Sequence, residues 1–329
     1  MDGDSTIFVA GSTGLVGSAV VRRLVRDGYQ RILTPRRAEL DLTNDAAVRS
    51  YFEQHRPQYV FLCAARVGGI LANVRAPGEF IYQNLAIQTN VIHNAYRVGV
   101  KRLLFLGSNC IYPREAPQPI KEEYLLTGPL EWTNRPYAVA KIAGLEMCWA
   151  YNRQYGTCYL TLMPVNLYGP GDNFDPETSH VLAAILRKVH EAKTLGRPSV
   201  LLWGTGAPRR EFMHADDVAD AALFVMTLPE TIAGELTRSP LPPILNIGTG
   251  SDMTIREIAE LVMEEVGYQG RIEWDTSKPD GTMRKLLDNT RMAALGWFPR
   301  IPLREGIRSF YEDFLKTPYA LGTASPAVR

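Results

Sequence analysis

Tyr137 and Lys141 stand four residues apart in the stretch Asn134-Arg-Pro-Tyr-Ala-Val-Ala-Lys141. With Pro136 near the first helical position, the stretch reads as a helix start, and the two side chains fall one turn apart on one face. A phenol that titrates at about pH 10 exchanges protons poorly at neutral pH, and a neighbouring ammonium stabilises its anion. The pair can therefore pass a proton to or from a carbonyl or alcohol. Ser108, just after the strand-like run Arg102-Leu-Leu-Phe-Leu106, offers a hydroxyl that can hold the same oxygen. Cys110 follows two residues later, where a loop should begin. As bare patterns, Tyr-x-x-x-Lys also fits an amphipathic helix edge, and a lone cysteine at a strand end also fits a small packing residue.

A second group of residues points to a dinucleotide. Ile7-Phe-Val-Ala10 runs into Gly11-Ser12-Thr13-Gly14-Leu15-Val16-Gly17 and then into a helical pattern. Strand, glycine turn and helix together let backbone N–H groups and a helix N-terminus face a pyrophosphate. The second strand ends in Thr34-Pro-Arg36-Arg37, with Glu39 and Asp41 after it. Paired arginines suit a 2′-phosphate, whereas a carboxylate such as Asp41 suits the 2′-hydroxyl of NAD. The arginines favour NADP, and Asp41 keeps NAD open.

The elements that must position these groups are legible as rhythm. Strand-like runs at 7–10, 32–34, 59–63, 102–106 and 157–163 alternate with helical patterns at 16–26, 45–55, 79–98 and 137–155. That alternation predicts right-handed βαβ units, hence an α/β fold with a doubly wound parallel sheet. After about residue 170, polar stretches at 170–180, 204–212 and 276–283 interrupt helices near 180–194, 216–227, 254–267 and 303–316. Ile244-Leu-Asn-Ile247 predicts one return to the sheet. The expected division is 1–170 for cofactor, with a return near 214–250, 171–320 mainly for substrate, and a frayed tail at 317–329.

Composition sets bounds on function. The 329 residues are 46% apolar and 22% charged, with a net charge of +1, which gives no electrostatic case for nucleic acid or an anionic membrane. No apolar run approaches the roughly 20 residues of a membrane helix, and the first six residues are acidic and polar, unlike a secretory signal. Cys63, Cys110, Cys148 and Cys158 show no C-x-x-C spacing, which predicts free thiols in a reducing cytoplasm and no metal site.

Gly11-x-x-Gly14-x-x-Gly17 with Ser108, Tyr137 and Lys141 resembles the extended short-chain dehydrogenase/reductase superfamily, whose members act on nucleotide sugars. Within it the chain is similar to the GDP-4-keto-6-deoxymannose 3,5-epimerase-4-reductase family, through Ala64-Ala-Arg-Val-Gly-Gly-Ile70, Phe80-Ile-Tyr-Gln-Asn84, Gly107-Ser-Asn-Cys-Ile-Tyr-Pro113, Pro279-Asp-Gly-Thr282 and Arg284-Lys-Leu-Leu-Asp288. These motifs spread from about residue 7 to 310. The resemblance implies a Rossmann-like domain with a smaller α/β substrate domain, and production of GDP-L-fucose with NADP(H). It makes Cys110 an epimerisation acid–base paired with His180, beside Ser108, Tyr137 and Lys141. It places NADP(H) against Gly11 to Gly17, against Arg36, Arg37, Leu40, Asp41 and Leu42, and against Leu106, Gly107 and Lys141. Pro164, Val165, Asn166, Leu167 and His180 complete that set.

Lys188, Trp203, Arg210 and Asp280 match substrate-contacting positions, and one member each of Arg187-Lys188 and Arg209-Arg210 is expected to be solvated. Thr13 departs from the arginine that some relatives carry there, so NADP preference leans on Arg37 and Arg36. The resemblance implies a homodimer built across helices 79–98 and 137–155, where Phe80, Leu85, Ile87, Ile92, Leu145, Cys148 and Trp149 offer apolar surface, although burial inside one chain fits the same residues. A nucleotide-sugar 4-epimerase or 4,6-dehydratase of the same fold is the first alternative. Asn109-Cys110 stands where such a dehydratase would place Asp-Glu. A non-catalytic NADP-sensing regulator is the second, and the intact Ser108, Tyr137 and Lys141 set counts against it.

Overall fold

Mainly apolar runs of three to six residues form the strands of the large sheet, and the amphipathic stretches between them cover it. The computed structural model describes residues 1–278 and 280–320; Pro279 of the Pro-Asp-Gly-Thr motif and residues 321–329 of the expected tail lie outside them. The chain begins β1 (Thr6–Ala10), α1 (Leu15–Arg26), β2 (Arg31–Leu33), α2 (Asp45–His55) and β3 (Tyr59–Leu62). A short α3 (Ile70–Arg75) precedes the long α4 (Pro77–Arg97), followed by β4 (Arg102–Leu106), α5 (Arg135–Tyr155) and β5 (Tyr159–Pro164). Next come β6 (Asn166–Tyr168), α6 (Val181–Thr194), β7 (Ser199–Trp203), β8 (Arg209–Arg210), β9 (Phe212–His214), α7 (Ala215–Met226), α8 (Glu230–Arg238) and β10 (Ile244–Ile247). The chain continues through β11 (Met253–Thr254), α9 (Ile255–Val266), β12 (Arg271–Asp275), β13 (Arg284–Lys285), α10 (Thr290–Ala294) and α11 (Leu303–Phe314).

Six strands form one sheet in the order β10-β5-β4-β3-β1-β2, every pair parallel. Helices cover both faces of such a sheet, so the inner strands β3 and β5 are buried throughout and read as near-continuous apolar runs. The chain lays β2 on one side of β1 and then β3 on the other. That reversal opens a crevice beyond the carboxyl ends of β1 and β3, the place where doubly wound sheets bind ligands. The predicted return to the sheet is present: β10 pairs with β5.

A second core lies between α6, α9 and α11, where Phe174 stacks on Phe310 with ring centroids 5.1 Å apart. Small pairings flank it: β6 with β9, β7 with β12, and β8 between β11 and β13. Periodicity passed over β7, β12 and α8. β7 and β12 pair only with each other, so half of β7 faces solvent and β12 carries Arg271 and Glu273. The expected polar interruption at 204–212 contains β8 and the first residue of β9, strands made by their partners rather than by any apolar run. Thr317 to Ala320 are not frayed; Ala320 N–H donates to Thr317 O, and Tyr319 packs on the second core.

The two long helices pack on each other, with Gln88 Nε2 donating to Ala140 O at 2.5 Å. Phe80, Ile92, Leu145 and Cys148 are consequently buried in this chain, while Leu85, Ile87 and Trp149 stay partly accessible. Cys63 and Cys158 lie just outside β3 and β5 rather than within them, and all four cysteines are free.

One carboxylate ties the small strands to the large sheet. Glu211 is fully buried and accepts from Gly250 N (2.6 Å), Leu287 N (3.1 Å) and Thr249 Oγ1 (3.4 Å). Glu211→Ala would strand these donors, at about 1–3 kcal/mol for each that stays buried. A fall in the urea midpoint, smaller for Glu211→Gln, is the expected outcome; an unchanged midpoint in both would show that the carboxylate carries no structural load.

Candidate active site

The glycine turn is shaped by close approach. Gly11 holds φ +79°, and a Cβ there would lie 2.8 Å from the Ala64 backbone at the end of β3. A side chain at Gly17 would collide with the Gly11 carbonyl, which fixes α1 against the turn. Gly14 differs: only that same carbonyl, at 3.5 Å, lies near its Cβ position, so the N-terminus of α1 faces open space. The cradle fits a diphosphate. Ser12 Oγ donates to Thr34 O at 3.4 Å and holds the turn to the end of β2.

Beyond β2 the balance between the two cofactor readings becomes physical. Asp41 accepts from Thr43 N (2.9 Å) and Thr43 Oγ1 (2.8 Å), and these bonds, with a smaller contribution from Arg37, hold its carboxyl below the usual range. Arg36 and Arg37 are exposed. Leu40 is buried beneath them and Leu42 partly so. The acid is committed to its own turn, whereas the guanidinium groups are available.

Ser108, Cys110, Tyr137 and Lys141 converge at the carboxyl end of β4. Pro136 begins α5 as predicted, which brings Lys141 Nζ 5.9 Å from the Tyr137 ring centroid and 4.7 Å from that of Phe105. Lys141 Nζ donates to Leu106 O at 2.8 Å. Burial pushes its ammonium down to about 8, against the pull of Cys110 and Cys63. Burial raises the Tyr137 phenol, Cys110 raises it further, and a hydrogen bond with Ser108 opposes both. Ser108 caps the single turn Asn109–Ile111, its Oγ accepting from Cys110 N at 3.4 Å. The Cys110 thiol is buried and pushed up by desolvation, with Lys285, Ser108 and Lys141 drawing it back. Gly107 has no room for a side chain against Met163, so the turn is pressed onto β5.

His180 is the residue that opens α6, on the loop whose Thr178 carbonyl accepts from Gly69 N. It borders solvent, yet crowding by protein atoms holds its imidazole below the ordinary value. Val165 N donates to Ile247 O, and Asn166 Nδ2 donates to Glu211 O at 3.0 Å, so the stretch Pro164 to Leu167 leaves the sheet on fixed rails. Of the expected substrate residues, Lys188 Nζ lies 5.4 Å from the exposed Trp203 ring and donates to Leu201 O at 3.2 Å. Burial lowers Arg210, partly offset by Asp280. Asp280 itself accepts from Thr205 N (3.0 Å) and Thr205 Oγ1 (2.7 Å), so it holds the Gly204–Pro208 turn.

The expectation of one solvated member per basic pair fails at Arg187-Lys188 and holds at Arg209-Arg210, where the Arg209 side chain is 40% exposed. Arg187 is buried and pairs with Glu191, because its helix face packs inward, and Lys188 is partly covered. Arg209 bonds Asp252 at 2.8 Å and Arg210 is half-buried. Sequence reasoning also missed Lys285, which β13 places opposite Arg210 and within electrostatic reach of Cys110. Its only signal was membership of the Arg284–Asp288 motif.

A model of the NAD dependent epimerase/dehydratase family matches residues 7–248. This chain belongs to that family. One relative, named GDP-L-fucose synthase 1 from Arabidopsis thaliana, is 54% identical over 96% of this chain and 94% of its own length. Another, named GDP-L-fucose synthase from Escherichia coli, is 51% identical over 94% of this chain and 96% of its own. Among solved structures, a GDP-mannoheptose C4 reductase from Campylobacter jejuni with NADP bound superposes with a TM-score of 0.87 at 41% identity, covering 95% of this chain and 99% of that one. The superfamily resemblance read from the glycine turn and the Ser-Tyr-Lys set is thereby met. No helix among the described residues is long and apolar enough to cross a membrane.

The electrostatics of the cluster are open to direct measurement. With lysine Cε labelled, NMR should show Lys141 titrating at about 8 rather than at the ordinary 10.5. Its charge is then present below that pH and lost above it. Titration at 10.5 would mean that water reaches the ammonium.

Proposed function

We propose that this protein converts GDP-4-keto-6-deoxy-D-mannose to GDP-L-fucose, by 3,5-epimerisation and then NADPH-dependent reduction at carbon 4. One observation carries the reading. A thiol, Cys110, is built into the Ser108–Tyr137–Lys141 cluster, where reduction alone would need none. Relatives at 51–54% identity named as GDP-L-fucose synthases support it.

Carbons 3 and 5 flank the ketone, so their protons become acidic when the carbonyl oxygen is held by donors. Tyr137 and Ser108 hold that oxygen. Cys110 and His180 move the protons, one group on each face of the ring, since inversion requires removal from one side and return from the other. Lys141 keeps the phenol able to lose a proton, and Tyr137 delivers that proton to the carbon-4 oxygen during reduction. NADPH, when bound, supplies the hydride. Gly11 to Gly17 hold its diphosphate, and Arg36 and Arg37 hold its 2′-phosphate. A bound NADP in the Campylobacter neighbour, and Asp41 committed to Thr43, support that choice over NAD.

The six-stranded half takes the cofactor, and the half around α6 takes the nucleotide sugar. There Arg210 and Lys188 face the diphosphate, Trp203 offers a ring for base or sugar, and Asp280 acts through the turn it holds. A homodimer across the outer faces of α4 and α5, in the cytoplasm, completes the reading.

Purified protein with this keto sugar should consume NADPH, seen at 340 nm, in preference to NADH, and form GDP-L-fucose. No consumption with either cofactor would overturn the assignment. Tyr137→Phe is expected to lower reduction about 10²- to 10⁴-fold. Cys110→Ser should abolish epimerisation with cofactor affinity intact, and wild-type exchange of sugar protons with solvent in this variant would remove the thiol from the mechanism. With Lys141 titrating at about 8 and His180 below its ordinary value, kcat/KM should fall above about pH 8 and hold down to below pH 6.5. A profile flat through pH 9 would contradict the lysine's role.

A further inference from the structure

The motif Ala64-Ala-Arg-Val-Gly-Gly-Ile70 takes no part in this chemistry, yet it spans the distance between Tyr137 and His180. Asn84, buried on α4, accepts from Arg66 N and donates to Arg66 O, both at 3.0 Å. Asn73 Nδ2 donates to Gly68 O (2.9 Å) and Gly69 O (3.1 Å), which pins the turn from within. Gly68 rests on Phe80, a Cβ there lying 3.3 Å from the ring, and Phe80 meets Tyr137 edge-on with centroids 6.3 Å apart. On the other side, Gly69 N donates to Thr178 O at 3.2 Å, and Arg75 pairs with Glu177 at 3.0 Å. Asp175 Oδ1 accepts from Glu177 N, Thr178 N and Thr178 Oγ1, so the receiving turn is stiff up to two residues before His180.

We infer that Gly69 is the positioning residue for His180: its backbone latches the facing loop to the catalytic half and sets where the imidazole stands. The choice of glycine follows from space rather than conformation. Gly69 has φ −63° and ψ 179°, which any residue adopts. A methyl group there would lie 3.2 Å from Ser179 O, one residue before His180, tighter than ordinary contact. Burial does not hold the segment, because Val67, Ile70 and Val74 are exposed. Ser108 and Lys141 are placed by the end of β4 and by α5, and Tyr137 meets the motif through Phe80, on the Gly68 side of the turn.

The inference rests on the proposed role of His180 in proton transfer, and Gly69→Ala tests it at two levels. The first needs no substrate. In the variant, the His180 Cε1–H signal and its titration should shift by NMR, and an unmoved signal overturns the latch. The second follows solvent deuterium entering carbons 3 and 5 of the keto sugar. Wash-in at one carbon should slow about 10- to 100-fold, while first-turnover NADPH formation from GDP-L-fucose and NADP stays within about threefold of wild type. Equal losses in both assays would overturn the inference. Wild type inactive on this sugar would sink the proposed function and leave the imidazole signal to decide the latch. Should Gly69→Ala fold poorly, Glu177→Arg opposes Arg75 at the surface and is read by the same signal: a shift supports the latch, and none overturns it.

Discussion

A buried ammonium is the constraint on which the rest of this site depends. Lys141 is almost wholly removed from water, with its Nζ bonded to Leu106 O and set over the Phe105 and Tyr137 rings. Burying a cation is costly unless fixed dipoles and negative charge replace its hydration. The carbonyl at the end of β4 supplies one such dipole, and the Tyr137 anion formed in turnover would supply the charge. α5 must therefore approach the sheet closely. Gly144 makes that possible, since a side chain there would press into Phe105 and Gln88. The Gln88–Ala140 bond then fixes α5 against α4.

The remaining chemistry is arranged around that fixed cation in two halves with separate cores. One half presents the glycine turn and the Ser108–Cys110 turn at the carboxyl ends of parallel strands, where backbone groups point outward at a topological reversal. The other presents His180 and Lys188 from the start and middle of α6, and Trp203 and Arg210 from short strands held by pairing with one another. Glu211 ties those strands to the sheet, and the Gly69 latch ties the His180 loop to it.

Strongly patterned elements were legible because their patterning has one physical cause. Arg102–Leu106 and Ile244–Ile247 are almost wholly buried and read as mainly apolar runs, their polar members Arg102 and Asn246 being satisfied by hydrogen bonds. Asp45–His55 begins where its pattern predicts, and the structure adds the cap, Asn44 Oδ1 accepting from Ala47 N. β7, β8, β12 and β13 were not legible, because they are short, half-exposed and stabilised by pairing across long sequence separations. Arg187 was misjudged for a related reason. Adjacent helix positions point in different directions, and nothing local says which one meets the second core.

In the sequence by itself, fold class was legible from the alternation of strand and helix patterns, the glycine turn and the Tyr137–Lys141 pair from spacing within one turn or helix, and Ser108 from its place just after a strand-like run. Resemblance, rather than spacing, brought Cys110 and His180 into view. Tertiary structure decided what those residues can do. It buried Lys141 to lower its charge threshold, committed Asp41 to Thr43 and Asp280 to Thr205, and brought Lys285 near Cys110. Local pattern records which residues an element needs to form. Desolvation and partner choice arise only when distant segments meet, so no reading of neighbours along the chain contains them.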